Sequence, residues 1–193
     1  MINNRNEILN KFYNEICNED TRLDQKHRKL EFLTTDRYVQ KYLKPNCRIL
    51  EVGAGTGRYS LYYASQGYKV NSIEYVQHNL DVLKSKITDN MNIVAEQGDA
   101  IDLSRFEDNI FDIVLVLGPL YHLYTEEEIN KCINEAKRVC KNNGIMMFAY
   151  LPNDSIMISW ALLKGHLKFG YDNKQFDQNF KIISEPSEIM RAF

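Results

Sequence analysis

The stretch ILEVGAGTGRYS, residues 49–60, carries three glycines at alternate positions, with an acid two residues ahead of the first. Its aliphatic lead-in reads as a short strand over 47–52, and residues 57–66 read as a helix that Gly67 closes. Glycine permits a tight strand-to-helix turn and lets another group approach the backbone closely. The helix start adds free N–H groups and partial positive charge. Such a loop either serves a ligand or simply turns the chain. The spacing G-x-G-x-G differs from the G-x-G-x-x-G of pyrophosphate-binding folds, and Glu51 beside it would repel a pyrophosphate. Glu51 suits a ligand with an ammonium group; the other reading is a solvated strand-end residue.

Outward from that loop the apolar rhythm alternates. Residues 69–75, 92–97, 111–117 and 145–150 read as strands, and FDIVLVL at 111–117 is apolar apart from Asp112, as a strand buried on both faces should be. Helical spacing covers 76–87 and 125–140. Thr125 with Glu128 forms a capping box for the second of these, and Asn143-Gly144 reads as its stop. Two further helical patterns precede the first strand, at 3–17 and from about residue 29 to Pro45. Strands alternating with helices imply crossovers and a mostly parallel sheet covered on both faces, so the expected class is α/β, doubly wound.

In such sheets ligands sit at the C-terminal strand ends, beside the first strand. Two more acids fall there. Glu74 ends the second strand, where an acid can accept bonds from ribose hydroxyls, and Asp99 follows the third, where it can accept from an adenine amino group with Ala100 and Ile101 against the ring. Each alone is more often surface than site. Three at successive strand ends point to S-adenosylmethionine, which carries an ammonium, a sulfonium, a ribose and an adenine.

EVGAGTGRYS, SIEY, GDAIDL and FDIVLVLGPLYHL together resemble the sequential motifs of class I S-adenosylmethionine-dependent methyltransferases, over about residues 30–151. The resemblance implies a Rossmann-like fold in which Glu51, Gly53, Ala54, Gly55 and Gly57 meet the methionine part of the cofactor. It places Glu74 on the ribose, Asp99 and Ala100 on the adenine with Tyr75 packed against it, and Leu117 and Gly118 on the sulfonium side. S-adenosylhomocysteine would be the product, and no metal is called for. The segment GPLYHLYT lacks the [D/N]-P-P-[Y/F] pattern of enzymes methylating adenine or glutamine, and the Pro-Cys nucleophile of the cytosine-C5 type. It looks like the small-molecule branch, with transfer to O, N or S. The other reading is a cofactor-binding module without turnover, because the C-terminal part of the domain is expected to be missing.

Methyl transfer needs alignment and exclusion of water, and a base only where the acceptor holds its proton. Tyr121 and His122 are the candidates to touch an acceptor. His122 is either a base, with its pKa naturally near neutrality, or a structural group that bonds backbone or the cofactor carboxylate. The N-terminal helices, residues 1–45, read as a lid over a core at 46–151, all within a single domain. Tyr13, Arg22, His27 and Arg37 are lid candidates, with Tyr13 or Arg22 meeting the cofactor carboxylate and Phe12, Tyr13 and Phe32 enclosing an acceptor; amphipathic packing is the alternative.

The chain has 193 residues and a net charge of −2, which disfavours duplex nucleic acid or an anionic membrane as partner. Cys17, Cys47, Cys132 and Cys140 form no C-x-x-C pair and read as reduced and buried. The polar N-terminus and the lack of a long apolar run suggest a cytoplasmic protein, monomer or homodimer. Family members close the sheet with an antiparallel hairpin. Residues 152–193 offer a helix at 154–167, a weak strand at 180–183 and the start of another helix, so the hairpin is expected to be missing, from either a fragment or a degenerate end.

Overall fold

The computed structural model describes residues 2–13, 26–123, 125–175 and 177–178. The chain divides into two compact units, Met1–Ala149 and Tyr150–Phe193.

The first unit is built on five strands: β1 (Arg48–Val52), β2 (Lys69–Glu74), β3 (Ile93–Gln97), β4 (Phe111–Val116) and β5 (Cys140–Phe148). They lie in the order β3-β2-β1-β4-β5, and every pairing is parallel. The expected doubly wound α/β class is the observed one. β1 and β4 are buried along nearly their whole length because both their faces carry apolar side chains. On one face Leu50, Val52, Val114 and Val116 pack with Cys132, Ala136 and Val139 of the helix Glu126–Val139. On the other, Ile49, Val70, Ile113 and Leu115 pack with Tyr59, Tyr63 and Ala64 of the helix Arg58–Ser65. In chain order the helices are α1 (Ile2–Lys11), α2 (Lys26–Val39), α3 (Arg58–Ser65), α4 (Gln77–Ser85) and α5 (Glu126–Val139). α5 begins with the expected capping box: Thr125 accepts from the Glu128 amide and Glu128 reaches back to the Thr125 amide.

One expected boundary is corrected. Asn143-Gly144 does not stop α5, which ends at Val139 and passes straight into β5 at Cys140. Cys140 pairs with Phe111 and Ile145 with Ile113, so β5 advances five residues while β4 advances two. Residues 141–144 are a bulge inside a strand. Gly144 is needed there because a Cβ would lie 2.6 Å from the Cys140 sulfur.

α2 is anchored by core packing. Val39 is fully buried, Phe32 packs tilted against Tyr59 and edge-on to Tyr62, and Asp36 accepts from the hydroxyls of Tyr62 and Tyr63. Phe32 therefore belongs to the apolar layer over α3. Cys47, Cys132 and Cys140 are free and buried, and burial pushes the Cys132 thiol up to about 12, so it stays protonated. Cys17 lies outside the described residues.

The second unit departs from a single helix over 154–167. A short turn of α-helix, α6 (Asn153–Ile156), runs into a π-helical segment, Met157–Leu163; Gly165 breaks the chain at φ 76°, and α7 (Leu167–Asp172) follows. The strand and helix expected beyond residue 179 fall outside the described residues. No helix among the described residues is long and apolar enough to cross a membrane.

Candidate functional site

β1 ends at Val52 and the chain turns at once. The amides of Gly53 and Ala54 both donate to the Ile73 carbonyl on β2, at 2.7 and 3.1 Å, which curls the loop across the strand ends. Gly53 adopts φ 73° and Gly57, the N-cap of α3, φ 91°. A Cβ on Gly53 would come within 2.7 Å of the Pro119 ring, and one on Gly57 within 2.7 Å of Leu83 Cγ. Both positions thus demand glycine on two counts, a left-handed backbone and close packing.

Glu51 is not a solvated strand-end residue. It is 3% exposed and faces α3 from β1. Its Oε2 accepts from the Ser60 amide at 2.8 Å and from the Ser60 hydroxyl. Ser60 is the third residue of α3, whose N-cap glycine has no side chain to satisfy that amide. The carboxyl from β1 supplies the missing cap. Burial pushes its pKa up from 4.5 to about 8, against the lowering effect of the Ser60 bonds.

Glu74, also buried, spans two turns. Oε2 accepts from the Gly55 amide at 2.7 Å and Oε1 from the Val76 amide at 2.8 Å. A carboxylate oxygen can accept more than one donor, so this is a group type that also suits hydroxyl donors. Asp99 is half-buried and accepts from the Ile101 amide, while the next residue, Ala100, is buried. Asp99 lines a cavity of about 350 Å³ with Asn10, Tyr75, Gln97 and Gly98. Gln97 and Asn10 escaped the sequence reading. Gln97 is the register partner of Glu74, so pairing the strand ends would have found it. Asn10 sits on α1 and carries no motif.

After β4 come Leu117 and Gly118, then a 3-10 turn over Pro119–Tyr121 that delivers His122. Gly118 faces the Gly53 carbonyl, so a Cβ there would sit 3.7 Å from it. Tyr13 joins from the N-terminal segment: its hydroxyl lies 3.1 Å from His122 Nε2, with Phe12 edge-on to its ring and Tyr121 beside the imidazole. The structure therefore brings Tyr13, Phe12, Tyr121 and His122 together. Arg37 is exposed; Arg22 and the His27 side chain fall outside the described residues. Among the described residues no group of three His, Cys, Asp or Glu could hold a metal ion.

Buried acids Glu51 and Glu74 flank a loop whose glycines keep backbone accessible, and a cavity opens beside Asp99.

Residues 50–148 match the sequence model of a family described as a methyltransferase domain. The match takes in half of the chain, and the chain belongs to that family. It is 25% identical over 112 residues to YqeM of Bacillus subtilis, a provisionally named methyltransferase, covering 58% of this chain and 45% of that one. The chain thus spans about half the length of this relative. Its fold is similar to that of the PH0226 protein of Pyrococcus horikoshii (TM-score 0.62, 22% identity, 71% of this chain and 64% of that chain). It is also similar to a SAM-dependent methyltransferase of Methanosarcina mazei (TM-score 0.58, 24% identity, 68% and 62%).

Proposed function

From that membership we propose that the chain binds S-adenosylmethionine across the ends of β1 to β4 and transfers its methyl group to a small-molecule acceptor at O, N or S. The observation that carries the reading is the placement of Glu51, Glu74 and Asp99 at the ends of adjacent parallel strands around the Gly53–Gly57 loop. Bound there, the cofactor supplies a methyl already activated by a sulfonium.

Glu51 faces the ammonium group, and the backbone of Gly53, Ala54, Gly55 and Gly57 runs along the methionine part. Glu74 accepts from the ribose hydroxyls. Asp99 accepts from the adenine amino group, with Tyr75 and Ala100 against the ring. Leu117 and Gly118 line the sulfonium side. Tyr13, already at His122, reaches the acceptor side or the cofactor carboxylate; Arg22 is the other candidate for that carboxylate. His122 and Tyr121 orient the acceptor, and His122 takes its proton where the acceptor must lose one. The rest is alignment and exclusion of water.

A second reading, cofactor binding without turnover, draws on β5, one of the two outer strands of the sheet among the described residues, beside which a closing hairpin would pair. Calorimetric titration with S-adenosylmethionine and S-adenosylhomocysteine, on wild type and Asp99→Ala, tests the proposal. Micromolar binding that the variant weakens at least about tenfold, ~1.4 kcal/mol, supports it. Absence of binding to wild type overturns it. Tight binding with no transfer to any of a broad acceptor panel favours the second reading.

A further inference from the structure

Glu51 and Ser72 are register partners on β1 and β2, and Ser60 of α3 sits over both. The Ser72 hydroxyl donates to the Ser60 oxygen at 2.6 Å; the Ser60 hydroxyl donates to Glu51 Oε2; the Ser60 amide donates to the same oxygen at 2.8 Å. Ser72 is 0% exposed, Ser60 1% and Glu51 3%. A polar chain this deep is costly unless each member is satisfied, and here the donors run in one direction. A serine hydroxyl has one proton. With Ser72 donating into the Ser60 oxygen, the Ser60 proton is turned toward the carboxyl. Both bonds fall on Oε2, and Oε1 takes none among the described residues.

We propose that Ser60 and Ser72 are positioning residues that clamp one oxygen of Glu51 and present the other to the ammonium group of the ligand. The inference rests on the cofactor reading above. The clamp also bears on charge. Burial favours the neutral carboxyl, the Ser60 bonds favour the ionised one, and Glu74 nearby favours the neutral one; Tyr59 and Tyr63 on α3 are the other titratable groups whose field it shares, with Arg58 and Asp36 next to those two rings. Loss of a clamp donor makes the carboxyl harder to ionise, so an ammonium ligand should then require higher pH.

The test compares two ligands by calorimetry from about pH 6 to 9. S-Adenosylmethionine has the ammonium; 5′-methylthioadenosine keeps the adenosine and sulfur but lacks the amino-acid end. Ser60→Ala should weaken S-adenosylmethionine at least about tenfold, shift the pH midpoint of its affinity upward and leave methylthioadenosine unchanged. Ser60→Thr, which keeps a hydroxyl, should restore both readouts, and Ser72→Ala should show a smaller loss of the same kind. Thermal unfolding of each variant guards against misfolding. Equal losses for both ligands, or a lower melting temperature with wild-type affinity and pH profile, overturn the clamp while the cofactor reading stands. Failure of both ligands to bind wild type sinks the cofactor reading and the clamp with it.

Discussion

Gly53 and Pro119 meet across the head of the sheet so closely that a single added carbon on Gly53 would lie 2.7 Å from two atoms of the proline ring. This contact joins the turn after β1 to the turn after β4. It ties the glycine loop, proposed above to run along the methionine part, to the stretch that delivers His122.

Gly53→Ala should therefore suffer twice, from φ 73° and from collision with Pro119. The expected loss of stability is about 3 kcal/mol, with cofactor affinity down by at least about tenfold. Gly67→Ala is the control. It shares a positive φ, 87°, but nothing lies within 4 Å of its Cβ position, so about 1–2 kcal/mol and unchanged affinity are expected. Urea denaturation and calorimetry read both.

Glu51 makes stability depend on pH in an unusual direction for an acid. Its folded pKa, about 8, lies above the ordinary 4.5, so the folded protein holds a proton that the unfolded chain gives up. Its contribution is fully present below about pH 4.5 and is lost as pH rises toward 8. Relative to Glu51→Gln, ligand-free wild type should lose stability over that window and level off above it. Urea midpoints measured across the window check this, and parallel curves for the two proteins would contradict it.

Arg138 offers a separation of scaffold from site. On α5 it donates to Glu135, Asp108 and the carbonyls of Leu103 and Phe106, stitching the helix to the loop before β4. Arg138→Met should cost about 1–3 kcal/mol in urea unfolding and leave affinity for S-adenosylmethionine within about twofold.

Tyr13 and His122 should act as one unit. Tyr13→Phe removes the hydroxyl 3.1 Å from Nε2, so the Nε2 resonance should move in nitrogen NMR. With any acceptor that turns over, Tyr13→Phe and His122→Ala should slow the reaction less in combination than the product of their separate effects.

Much of this was legible beforehand, and for identifiable reasons. FDIVLVL has the look of a strand buried on both faces and is one from Phe111 to Val116, and the three glycines at alternate positions sit where two of them are sterically obligatory. Capping by Thr125 and Glu128 is local, and local rules read well. What escaped depends on contacts distant in sequence. Glu51 reads as a ligand group or a wet strand end; its role as cap to α3 appears only when Ser60 is folded over it. Asn143-Gly144 has the chemistry of a helix stop, but the pairing of β5 with β4 turns it into a bulge. Phe32 has the look of a lid residue until Tyr59 and Tyr62 claim it.

The strand order carries one more consequence. With β3, β2, β1 and β4 side by side, the turns that follow them stand in a row, one strand spacing apart. From the Gly118 turn to Asp99 is three spacings, roughly 14 Å. The sheet edge is thus a ruler. A free amino acid or a bare nucleobase reaches one or two of its marks. Under the proposed function, only a rod-like molecule about that long, polar at intervals, would touch every one, and length itself would screen ligands.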